Sequence, residues 1–232
     1  MLVSAFPAAA FATNCYVVAP GPGEECLVVD PGVGVINRLA EVLETHRLRP
    51  AAVLATHGHM DHVYSVTPVC AAHGVAVHVH ADDRYRLTDP LESLDPGLLA
   101  MLEQQFGRAA WREPDDVRLL SDHEELAIAG LRVRVIHCPG HTEGSVMFSL
   151  PDAPDGAEEV GSTVMTGDVL FAGSIGRTDL PGGDHAAMRR SLLERVLPLP
   201  DDALILPGHG PATTMAVERT SNPFLLELVG TV

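Results

Sequence analysis

The 232-residue chain contains no lysine; all 15 of its basic residues are arginine. They face 31 acidic residues, for a net charge of −16. A phosphate backbone needs a basic surface, so this balance argues against nucleic acid as the partner. Any anion recognised by a charged side chain must be met by arginine or histidine. With abundant alanine, proline, glycine and valine, the missing lysine reads as a GC-rich coding bias. Cysteine is scarce and unpaired in sequence: Cys15, Cys26, Cys70 and Cys138 form no C-x-x-C. Neither a zinc ribbon nor a disulfide framework is suggested, and reduced thiols in a cytoplasmic protein are expected. No run approaches the ~18 apolar residues of a transmembrane helix. The apolar patch from Ala5 to Ala12 is interrupted by Pro7, and the first basic residue is Arg38, which makes a poor secretion signal. The expectation is a cytoplasmic protein with no membrane or nucleic-acid partner. Apolar residues make up 46% and mean hydropathy is +0.15, so the chain is globular, with a length that fits one domain over residues 1–232.

What is present is histidine in a dense cluster. Thr56-His57-Gly58-His59-Met60-Asp61-His62 packs three imidazoles and a carboxylate into one short stretch. Metal binding needs several nitrogen and oxygen ligands converging on a point, and neutral imidazole suits zinc. The apolar run 51–56 before it reads as a buried strand, so His57 sits at a strand end. Gly58 lets the backbone turn, so that His57 and His59 can face one centre while Asp61 and His62 face a second.

The same placement recurs downstream. Strands are expected at 2–6, 13–19, 26–30, 75–79, 117–120, 125–129, 131–137, 145–150, 162–166 and 203–206. Helices are expected at 35–47, 61–73, 185–196, 212–220 and 223–229. The strand at 131–137 runs into Cys138-Pro139-Gly140-His141, the strand at 162–166 into Gly167-Asp168, and the strand at 203–206 into Pro207-Gly208-His209. Asp30 also ends a strand and could accept a hydrogen bond from the far nitrogen of a ligating histidine. Asn14 could fix a loop near the site. Gly32-x-Gly34 reads as a tight turn, since the rest of a phosphate-loop fingerprint is missing. His78 and His80 read as structural, with His80 able to reach a pocket edge. Residues 82–111 are irregular, broken by Pro90, Pro96, Gly97 and Gly107, and serve either as a lid or as packing. The stretch 170–184 is glycine-rich. It carries Arg177 and Asp179, which either grip the remote end of a substrate or pair with each other.

Across nearly the whole chain this order resembles the metallo-β-lactamase superfamily. The resemblance implies an α/β fold, an αββα four-layer sandwich with metals at one edge of its two sheets. It implies two divalent metal ions, zinc above all, with iron or manganese as alternatives. His57, His59 and His141 would bind the first, Asp61, His62 and His209 the second, and Asp168 would bridge them. Within the superfamily, Thr56–His62, Pro139–Thr142 and Gly167–Gly183 are most similar to small glyoxalase II-type hydrolases, which cleave hydroxyacyl thioesters such as S-lactoylglutathione. That likeness implies attack by a metal-bridging hydroxide oriented by Asp61, the catalytic residue, on a small-molecule thioester. The lysine and tyrosine that hold glutathione in full-length relatives are replaced by Arg177 and Asp179, so another thiol carrier is open. A persulfide dioxygenase of the same fold would use one Fe(II) on His57, His141 and Asp168, and shares a Gly176-Arg177-Thr178-Asp179 run. A lactonase or β-lactam hydrolase is a further alternative. Oligomeric state is left open.

Overall fold

The computed structural model describes residues 1–90, 96–106, 112–157 and 159–230. Strands β1 (Leu2–Pro7), β2 (Asn14–Ala19) and β3 (Glu25–Val29) form an antiparallel meander. Helix α1 (Ile36–His46) then crosses over to β4 (Arg49–Leu54), which runs parallel to β3. Helices α2 (Met60–Val63) and α3 (Val66–His73) lead to β5 (Val77–His80). A 3-10 helix over Ala81–Leu87 and helix α4 (Pro96–Phe106) precede β6 (Val117–Leu120). These six strands make one sheet in sequence order.

The second sheet starts with the hairpin β7 (Glu125–Ile128) and β8 (Leu131–His137). Its turn, Ala129–Gly130, has both φ values positive, 55° and 72°, the geometry whose twist matches the flanking strands. Strands β9 (Val146–Leu150) and β10 (Ser162–Gly167) follow, then a small hairpin of β11 (Leu170–Phe171) and β12 (Ser174–Ile175). Helix α5 (His185–Ser191), capped by Asp184, continues as a π-helical turn over Leu192–Val196. Strands β13 (Ala203–Pro207) and β14 (Thr213–Thr214) and helices α6 (Met215–Ser221) and α7 (Pro223–Gly230) complete the described chain. The second sheet has the order β14-β13-β10-β9-β8-β7.

Period-two alternation produces the four layers. Val18, Leu27, Val29 and Leu54 point inward to meet Val133, Val135, Phe148 and Met165 of the other sheet. Their neighbours Val17, Val28 and Val53 point the other way, onto Leu39, Val42, Val66 and Val69 of the helices. On the far side, Met147, Val164 and Ile205 pack against Met188, Leu192, Met215 and Leu225. The α/β/β/α sandwich is the expected fold. All four cysteines are buried and free.

Several boundaries differ from expectation. Strand β5 starts at Val77 rather than 75, and the helix expected at 212–220 starts at Met215, because Thr213–Thr214 pair with β13 as β14. The helix at 61–73 is interrupted at Tyr64 and Ser65. Pro68 lacks an amide proton and is tolerated only in a first turn, so the helix has to restart at Val66. Ser65 fills the gap by donating to Gly32 O from Oγ at 2.6 Å and to Pro31 O from its amide at 2.9 Å. Strand β4 begins earlier than residue 51, at Arg49. Pro50 is accommodated because β5 pairs only from Val53 onward, leaving Pro50 without a partner on that side. Residues 82–111, where described, hold most of the 3-10 helix and the 11-residue α4, which Pro96 and Gly97 start rather than break. The remainder of that segment lies outside the described residues.

Candidate metal centre

Four strand ends at one edge of the sandwich carry the seven ligand candidates. The loop after β4 brings His57 and His59, and helix α2 directly after it brings Asp61 and His62; the loops after β8, β10 and β13 bring His141, Asp168 and His209. The structure gathers all seven. One ligand atom each from His57, His59 and His141 lie within 4.8 Å of one another, and so do those of Asp61, His62 and His209. Asp168 lies between the groups. Its Oδ2 is 3.4 Å from His141 Nε2 and 3.6 Å from His209 Nε2, and its Oδ1 is 3.4 Å from His62 Nε2. Gly208 makes this approach possible: a Cβ there would stand 2.2 Å from Asp168 Oδ1 and 2.7 Å from His62 Cε1.

The rings are aimed by hydrogen bonds at their far nitrogens. Asp30, buried and in the left-handed region at φ 49°, accepts from Thr56 N at 2.8 Å, Thr56 Oγ1 at 2.6 Å and His62 Nδ1 at 2.9 Å. Thr56 Oγ1, having donated to Asp30, accepts from His57 Nδ1 at 3.1 Å. His141 Nδ1 donates to the carbonyl of Arg177 at 2.8 Å, and His209 Nδ1 to that of Phe11 at 3.1 Å. In all four rings this turns Nε2 toward the centre, where it could serve as a metal ligand once deprotonated. His59 presents Nδ1, 2.9 Å from His141 Nε2. Asp30 thus takes the role expected of it. Asn14 does as well, donating through Nδ2 to Pro207 O and Gly210 O on either side of His209.

Two buried atoms of the centre have no hydrogen-bond partner: His57 Nε2 and Asp168 Oδ1. Buried polar atoms without partners are costly, so this pair needs an explanation. A cation supplies one, and imidazole with carboxylate is a donor set that suits zinc or iron. The charge balance agrees. Burial and the surrounding imidazoles hold His57 well below its ordinary pKa. Burial and His141 push His59 down to about 3. Burial opposes a charge on His62 too, but Asp168, Asp61 and Asp30 outweigh it and raise that ring well above its usual range. Burial would also lift Asp61, yet His62, His209 and Thr13 hold it below the carboxylate range. The protein therefore keeps positive charge at His62 among three carboxylates, where a divalent ion would serve instead. The clusters suit a dinuclear metal site.

A cleft of about 320 Å³ opens beside His59 and Asp61. Phe11, Met60, Tyr85, Arg86, Asp89, Pro90, Leu98, Leu180 and Pro181 complete its lining with Gly58. Residues 82–111 thus contribute a wall. Arg86 lies over Gly58, where a Cβ would be 2.6 Å from its own. Asp83, fully buried, accepts from Gly58 N at 2.7 Å, Thr142 Oγ1 at 2.7 Å and Gly144 N at 2.8 Å, tying the first ligand loop to the loop of His141. Neither Arg86 nor Asp83 is evident from sequence, because their partners are distant in the chain. Arg177 and Asp179 form a bidentate pair at 2.7 Å, both exposed, which is the second of the two expectations for them. His80 is buried and stacks on His137 at 3.9 Å, away from the cleft lining, as a structural residue would. Cys138 is fully buried, and burial pushes its thiol up, so it is inert.

Known proteins agree with this geometry. The metallo-beta-lactamase superfamily matches residues 8–209. The chain belongs to this superfamily. An uncharacterized protein of Mycobacterium tuberculosis is 43% identical over 97% of this chain and 98% of its own. The hydroxyacylglutathione hydrolase GloC of Haemophilus influenzae is 33% identical over 97% of this chain and 98% of its own. Among solved structures, the BLEG-1 B3 metallo-beta-lactamase is 34% identical with a TM-score of 0.77, covering 97% of this chain and 99% of its own. TTHA1623, solved in a di-iron-bound form, is 35% identical with a TM-score of 0.75, covering 96% of this chain and 100% of its own. Among the described residues no helix is long and apolar enough to cross a membrane.

Proposed function

We propose that this superfamily member is a metal-dependent hydrolase that cleaves a small hydroxyacyl thioester. His57, His59 and His141 would hold one divalent ion, and Asp61, His62 and His209 a second, with Asp168 shared. The observation that carries this reading is the pair of three-residue groups joined through Asp168, with His57 Nε2 and Asp168 Oδ1 left bare between them. The likeness to GloC supports the thioester. Zinc suits the donor set, and the di-iron relative makes iron an alternative.

Bound ions supply a water acidified from pKa 15.7 toward about 7 and an electrophilic centre for the carbonyl oxygen. The chain's own groups do the rest. Asp61, held as a carboxylate and restrained by Thr13 Oγ1 at 3.0 Å, orients the attacking water. The water oxygen adds to the thioester carbonyl carbon, the C–S bond breaks, and a carboxylate and a thiol result. Free thiols have a pKa of about 8.5, so the thiolate leaves without a general acid. The cleft positions the part of the substrate that does not react.

BLEG-1, at similar identity, favours β-lactam opening as the second reading. The test is metal content by elemental analysis on protein purified without added metal, with rates on S-lactoyl thioesters and a β-lactam and oxygen uptake on glutathione persulfide. Two metals per chain, thioester cleavage and no oxygen uptake are expected. One iron with oxygen consumption, or turnover of the β-lactam alone, would overturn the proposal.

A further inference from the structure

Aromatic residues make up only 4% of the chain, yet two of them stand exposed on the cleft: Phe11 at 41% and Tyr85 at 56%. Phe11 is held there at a cost. It and Ala12 both adopt left-handed backbone, at φ 64° and 53°, without being glycine. Such strain persists only where surrounding contacts enforce it, and it concentrates at ligand sites. The contacts are on either side: Ala8 N donates to Thr13 O at 2.8 Å, and the Phe11 carbonyl accepts from His209. Other parts of the lining are apolar as well. Leu98 packs with Met60 on Val33 and Leu102.

The charges nearby are already committed. Among the described lining residues the cation is Arg86, whose Nη2 donates to Glu143 Oε2 at 2.8 Å and Pro181 O at 2.9 Å. Glu143 also accepts from the Tyr85 hydroxyl at 3.3 Å. Asp89 adds a further carboxylate to the lining. Arg177, whose carbonyl holds His141, is paired through its side chain with Asp179. A carrier such as glutathione, with two carboxylates against one ammonium group, would find Arg86 already paired and would have to displace that ion pair. The cleft's volume of about 320 Å³ is also at the small end for ligand sites, which run from about 300 to 1,000 Å³.

We infer that this cleft takes an uncharged, apolar arm of the thioester, held by Phe11, Tyr85 and Leu98. The inference rests on the proposed thioester hydrolysis and narrows its substrate class. It makes the chain selective for neutral thiol carriers with an aromatic or aliphatic arm.

The test compares two esters of one acyl group: S-lactoylglutathione and S-lactoyl benzyl mercaptan, on the metal-loaded enzyme. The benzyl ester should show a KM about tenfold lower, with little dependence on salt. Leu98→Ala should raise that KM several-fold, about three- to tenfold, with kcat held, the signature of lost uniform binding. Benzyl mercaptan should inhibit as a product more strongly than glutathione. A lower KM for the glutathionyl ester, raised by Arg86→Gln or Arg177→Gln, would overturn this inference and leave thioester hydrolysis standing. Cleavage of neither ester, with a β-lactam or lactone turned over, would overturn the proposed function itself.

Discussion

Asp30→Asn is the most informative single change to the centre. Asp30 receives three hydrogen bonds, from Thr56 N, Thr56 Oγ1 and His62 Nδ1, at 2.6 to 2.9 Å. Asparagine keeps the volume and tolerates the left-handed φ of 49°, so the backbone should not be the cause of any loss. Its amide has one acceptor oxygen in place of two, so one of its N–H groups must face a donor. Thr56 Oγ1 and His62 Nδ1 both bond Oδ2, so an amide nitrogen there removes the bonds that aim His57 and His62 together, while an amide nitrogen at Oδ1 faces the Thr56 N–H and forces the loop to shift. Loss of such an outer hydrogen bond typically costs about 10- to 100-fold in metal affinity. At 1.4 kcal/mol per decade that is about 1.4 to 2.8 kcal/mol of metal-linked stability. For a domain of this size, about 2 to 4 °C per kcal/mol, the metal-loaded protein should melt about 3 to 11 °C lower. Metal dissociation constants should be measured by competition with a chelator, beside thermal unfolding with and without metal. Retention of two metals at parental affinity would refute the claim that Asp30 aims these rings.

Thr13→Val should weaken metal binding at the second group selectively. Thr13 is fully buried, donates to Asp61 Oδ2 at 3.0 Å and forms an isolated bridge to His209, but it makes no such contact to the first group. Elemental analysis after mild chelation should find close to one metal per chain, Thr13→Ser should restore the second, and loss of both together would contradict the assignment. Stability of the metal-free protein should fall as pH drops below about 6.5, the ordinary histidine value. His57, His59 and His141 all have lowered pKa values through burial and neighbouring groups, with His59 at about 3, so the unfolded chain takes up protons that the folded one refuses. The raised values of His62 and His209 act in the opposite sense, adding stability that is lost as pH rises through their folded values. Urea unfolding of chelated protein between pH 7 and 4 reads the balance, and a flat profile would show that the imidazoles are not desolvated as described.

The seven clustered residues were legible because each candidate ligand is declared locally. His57, His141, Asp168 and His209 each follow directly on an apolar strand, and a strand end is visible in a dozen residues of sequence. The layers were legible for the same reason: alternation at Val17, Val18, Val28 and Val29 assigns opposite faces without knowledge of the partner sheet. What was hidden depends on long-range meetings or on the backbone. Asp83 binds Gly58, Thr142 and Gly144 across separations of 25 to 61 residues, and nothing near Asp83 in sequence announces them. The carbonyls of Phe11 and Arg177 aim His209 and His141, but a carbonyl has no residue type. For Arg177 this divides the residue's roles: its backbone holds a ligand ring while its side chain pairs outward with Asp179. Sequence reasoning could weigh only the side chain. The centre is therefore two systems of different origin, candidate ligands encoded just past strand ends and an aiming frame assembled from loops that start elsewhere. The frame of the second group reaches back to residues 8–16, where Tyr16 OH and Asn14 both clasp Pro207 ahead of His209. A change in that N-terminal loop should thus register as altered metal occupancy although it carries none of the seven ligand candidates.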